Sequence, residues 1–96
     1  MPYIKQEQRD RLNSIVSQFC EADCFGPILS AGDMNYLFSK MLHIWIGHKG
    51  LCYATLNEAT GVLECCKQEL YRQVAAPYED KKKQENGAVS NLDSPE

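Results

Sequence analysis

An all-α domain is the fold class that the sequence predicts, and three observations predict it. Apolar residues recur at helical spacing in three segments. No run of useful length alternates with the period of a strand. Glycine and proline clusters punctuate the chain between the segments. The 96 residues make one domain with a modest core, since chains this short bury only about 60–65% of their unfolded surface.

The first helix is expected from about Gln6 to Ala22. Leu12, Ile15, Val16 and Phe19 fall at i, i+3, i+4, i+7, which is one apolar face. Cys24-Phe25-Gly26-Pro27 then reads as a turn. The second helix is expected from about Asp33 to Ile46. Ser30 with Asp33 forms a capping arrangement, or Asp33 is itself the cap. Met34, Leu37, Phe38, Met41 and Trp45 make the stripe, widened by Leu42 and Ile44. Gly47-His48-Lys49-Gly50 ends it, with cations at the negative end of the helix dipole.

The third helix is expected to start at a Thr55–Glu58 capping box and to run to about Ala76, where Pro77 stops or kinks it. Leu56, Ala59, Leu63, Cys66 and Leu70 alternate spacings of three and four, a seam suited to lengthwise packing on another helix or on a copy. The ordered domain is expected over residues 1–83. Residues 84–96 are too polar to offset their ordering entropy and are expected to be a disordered tail. The predicted architecture is a three-helix domain: helices 2 and 3 form an antiparallel hairpin and helix 1 packs across it. The apolar stripes are wide for so short a chain. A homodimer or higher oligomer with helix 3 near the symmetry axis is therefore expected.

Composition narrows the function classes. The net charge of −3 argues against nucleic-acid binding, which needs a basic face. Lys81-Lys82-Lys83 reads as part of a solvated tail. No apolar stretch is long enough to span a bilayer, and the opening residues lack the apolar run of a signal peptide, so the expected location is cytoplasmic. Five cysteines, an odd number, argue against a disulfide framework. The weak metal candidates are Cys20, Cys24 and Cys65. Their spacing suits tetrahedral zinc poorly, because Cys65 and Cys66 point about 100° apart on a helix. No metal or cofactor is expected.

Catalytic constellations are not apparent. There is no glycine-rich phosphate loop, and no magnesium-holding Glu-x-x-Glu or Glu-x-x-Asp pair is expected. Glu64 and Glu69 can pair with Lys67 and Arg72 as ordinary surface ion pairs. His43, with Tyr36, lies opposite the stripe of helix 2, and nothing in the spacing brings it to a cysteine. The most suggestive feature is the polar face of helix 3: Asn57, Gly61, Gln68 and Arg72, flanked by Glu64 and Tyr71. A glycine costs about 1 kcal/mol relative to alanine inside a helix, so Gly61 either admits a close neighbour or is merely tolerated.

Four blocks carry a family resemblance: Gly32-Asp33-Met34-Asn35-Tyr36, Asn57 through Cys65, Glu69-Leu70-Tyr71-Arg72, and Ala76 through Lys82. With Met1-Pro2-Tyr3-Ile4-Lys5 they resemble a family of small phage and bacterial proteins of unknown function, over about residues 1–87. The resemblance implies a small stand-alone domain, phage-borne or mobile. It implies no activity and no catalytic residue. Ala59-Thr60 replaces a bulkier aliphatic pair, and Gln73 stands where a second arginine is usual.

Three functions are carried forward from the sequence. The first is a non-enzymatic accessory protein that acts by protein–protein interaction, blocking or modulating a host protein. The second is an oligomeric binder of a small phosphorylated or nucleotide ligand, lined by Tyr36, His43, Asn57, Gln68, Tyr71 and Arg72. The third is a zinc- or thiol-dependent module.

Overall fold

The computed structural model describes residues 2–19 and 29–94. It contains helices α1 (Gln6–Phe19), α2 (Ala31–Lys49), α3 (Tyr53–Leu70) and α4 (Ala76–Asn86), with a π turn (Tyr71–Ala75) joining α3 to α4. The chain is all-helical, and no strand occurs among the described residues. Cys20, Cys24 and the end expected for helix 1 at Ala22 lie outside the described residues.

Helix α2 begins where the capping chemistry demands. Ser30 is the N-cap: its hydroxyl accepts from the Asp33 backbone N–H at 3.1 Å, and the Asp33 carboxylate accepts from the Ser30 N–H at 3.0 Å. The helix runs three residues past the expected Ile46. It ends at Gly50, whose φ of 102° is available to glycine and strained for other residues. A short turn then leads into α3, which packs back on α2 as the predicted hairpin.

The start of α3 corrects the expected capping box. The helix begins at Tyr53 with Cys52 at the cap, two residues before Thr55. Thr55 is instead one of the most buried residues, 3% exposed, beside Ala59 at 5%. Glu58 turns away from the cap and pairs with Lys49 at 2.7 Å, tying the end of α2 to the start of α3. The Lys49 ammonium also lies 4.8 Å from the Trp45 ring.

Pro77 does not stop the helix. In an α-helix its ring would press on the carbonyl four residues back, that of Gln73. The π turn widens the backbone just before it, and the Ala76 N–H reaches five residues back to the Tyr71 carbonyl. Helix α4 then continues to Asn86, past the boundary expected at 83. Beyond it, Asp93 accepts from the N–H groups of Ser90 and Val89, which hold its carboxyl below the ordinary value.

Helix α1 departs from expectation. It makes no close packing with α2 or α3, and Leu12, Ile15 and Val16 stay exposed. Its link to the hairpin is the segment before it: the Tyr3 hydroxyl donates to the Glu69 carboxylate. The radius of gyration is 17.9 Å, against about 12.5 Å for a compact domain of this length. The chain exposes 8522 Å², whereas a compact monomer of its mass exposes roughly 5,600 Å². Little of the apolar stripe on either hairpin helix is covered.

Candidate functional site

Two hollows flank α3, one on each side. The first surrounds the π turn and has a volume of 790 Å³. Tyr3, Glu64, Gln68, Tyr71 and Arg72 line it, with Cys65 in its wall. Four of the expected site residues therefore meet there, because α3 delivers Glu64 and Gln68 one turn apart and the π turn delivers Tyr71 and Arg72. Gln68 donates to Glu64 at 3.1 Å, and Lys67 stands 3.8 Å from the same carboxylate.

Glu69 does not take the ion pair with Arg72 expected from its spacing. It accepts the Tyr3 hydroxyl instead, and that bond, more than the carboxylate's charge, holds the Tyr3 phenol above its ordinary value. The protonated phenol is the form that makes the bond, so the tether is intact below pH 10.0 and is released as the pH rises through the raised value. Arg72 has no ion pair among the described residues.

The second hollow opens between α2 and α3 and has a volume of 590 Å³. Phe38, Met41, Trp45, Val62, Leu63 and Cys66 line it, and His48 is its polar member. Phe38 is 53% exposed, Leu63 48% and Trp45 36%. Thr55 and Ala59 lie in the first two turns of α3, so the hairpin is closed near its turn and open farther along.

The remaining expected residues are scattered. Tyr36 and His43 are exposed on α2 and line neither hollow. Asn57 is exposed on α3. A Cβ at Gly61 would meet nothing within 4 Å beyond its own helix backbone among the described residues. Gly61→Ala is accordingly expected to raise stability by about 1 kcal/mol in a thermal melt. A loss of stability would mean that another molecule's backbone rests on Gly61.

A family model described as a domain of unknown function, DUF6899, matches residues 1–89. The chain belongs to the DUF6899 family. No curated protein and no solved structure matches it. The DUF6899 match spans both hollows and the whole of α1 to α4.

Sequence reasoning passes over two features of this DUF6899 domain, of which the first, a Glu-x-x-Asp pair, is plain in the sequence. Glu7 and Asp10 form a carboxylate pair at i, i+3 on α1, where Asp10 accepts from Gln6 at 3.1 Å. No cluster of three or more His, Cys, Asp or Glu able to hold a metal occurs among the described residues. The other feature is Cys52. The Thr55 hydroxyl, 3.4 Å from its sulfur, and the N–H of Thr55 lower the thiol below its ordinary value of 9.0. A start of α3 at Tyr53 would have marked it, because thiolates are favoured at helix N-termini. Cys52 is expected to alkylate with iodoacetamide at lower pH than Cys65 or Cys66, which peptide mapping across a pH series will read.

Proposed function

We propose that this chain acts without catalysis, as a helical module that associates with another protein. One observation carries the reading: large apolar side chains stand exposed on both hairpin helices while only Thr55 and Ala59 are buried among the described residues. Contiguous apolar surface of this kind marks interaction sites. The resemblance to small phage and bacterial proteins favours a host protein as the target, with the chain as an accessory factor that blocks or modulates it. Affinity purification of the tagged chain from bacterial lysate tests this, run beside a Phe38→Glu variant. A host protein held by the wild type and lost from the variant is the expected result. No retained host protein with either, under native conditions, removes a host protein as the target.

A second reading rests on the hollow at the π turn. Arg72 has no carboxylate partner among the described residues, and guanidinium recognises phosphate through two parallel hydrogen bonds. Tyr3 and Tyr71 supply flat apolar surface beside it. A small phosphorylated ligand, such as a nucleotide, fits that chemistry. Nucleotides that raise the melting temperature of the wild type and leave Arg72→Ala unmoved support it. No shift in the wild type removes it.

A further inference from the structure

We infer that a second copy of this chain closes the open mouth of the hairpin, giving a four-helix assembly across a two-fold axis. The inference rests on the association reading and names one partner for it. Its starting point is area. The chain exposes 8522 Å², about 2,900 Å² more than a compact monomer of its mass. Obligate dimers bury roughly 2,000–5,000 Å² in total, about half from each chain, and the excess is larger than one chain's share. Helix α1, which stands off the hairpin, holds part of it, while the half-exposed stripes of α2 and α3 hold another part.

The chemistry of the mouth fits a copy. Phe38, Met41, Trp45, Val62, Leu63 and Cys66 line it without a carboxylate or an ammonium among them. A two-fold axis sets the same patch against itself, and this one, with His48 as its polar member, sets no carboxylate or ammonium against its own kind. Beside Trp45, the Lys49 ammonium is already paired with Glu58 at 2.7 Å and lies over the ring. Two hairpins meeting mouth to mouth supply the four helices of a bundle. Leu63 and Cys66, in the middle of the Ala59–Leu70 seam, present to the mouth the three-residue step of the spacing that lengthwise helix packing uses.

The chain carries a single tryptophan, Trp45, and it stands in the mouth. It therefore reports on this face alone. The test follows the mass of the full chain by light scattering and Trp45 by emission and acrylamide quenching, from micromolar to low nanomolar concentration. The expected result is a two-chain mass with a shielded Trp45. On dilution the mass halves while emission shifts red and quenching rises, with one common midpoint.

A one-chain mass throughout overturns the inference. So does a two-chain mass whose dissociation leaves Trp45 unchanged, because the contact then lies on another face. A one-chain mass combined with a host protein that shields Trp45 also overturns it, yet leaves the association reading standing. A one-chain mass with no partner captured removes both.

Discussion

Gly50→Ala is expected to lower the melting temperature by on the order of 10 °C. Gly50 sits at φ 102°, ψ 133°, where a Cβ is strained whatever space surrounds it. Holding a non-glycine residue there costs roughly 1–3 kcal/mol. The cost falls on the turn that brings α3 back against α2, and the hairpin has little buried surface with which to absorb it. Gly47 supplies the control. It is helical, and a Cβ there would meet nothing within 4 Å. Gly47→Ala is expected to raise stability by about 0.5–1 kcal/mol. Two alanine substitutions three residues apart should thus move the melting temperature in opposite directions at equal chain concentration. A fall of the same size for both would show that bulk near the turn, rather than backbone strain, decides the outcome.

Leu63→Glu is expected to abolish self-association at micromolar concentration. Leu63 is half-exposed in the single chain and lines the mouth, so a carboxylate there remains hydrated in a monomer and is buried unpaired in a dimer. An uncompensated buried charge costs about 3–5 kcal/mol, which weakens association by roughly 10²–10⁴-fold. Light scattering should return a one-chain mass, with Trp45 as open to acrylamide as in the dissociated wild type. Leu12→Glu on α1, outside the mouth, should keep the two-chain mass. A two-chain mass for Leu63→Glu would place the contact elsewhere.

Much of the architecture is legible in the sequence. The Ser30–Asp33 box and the Met34–Trp45 stripe define α2, and the Leu56–Leu70 seam defines α3. The residues that mislead each face two competing local signals. Thr55 and Glu58 have the types and spacing of a capping box, but Thr55 is buried and Glu58 is held by Lys49 from the neighbouring helix. That tertiary contact outweighs the local cap. Pro77 reads as a stop or a kink because an α-helix accommodates it only by distortion. The π turn is that distortion, and no apolar periodicity signals one. The site is half legible: Glu64, Gln68, Tyr71 and Arg72 converge because they share one helix face and its continuation. Tyr36 and His43 belong to the outer face of α2, and spacing along one helix does not say which side of another helix it meets.

The small interior also has a calorimetric consequence. A compact chain of this length unfolds with a heat-capacity increase of about 1.2–1.4 kcal/mol/K, most of it from hydrating newly exposed apolar surface. Much of that surface is already wet here before unfolding begins. The separated chain should therefore melt broadly, with a small heat-capacity step and a flat stability curve. For the inferred two-chain assembly, the missing heat capacity should reappear on association, as a large negative change when a second copy closes the mouth. Cold should then loosen the assembly before it unwinds the helices, because the driving force for covering Phe38, Trp45 and Leu63 weakens as water is cooled.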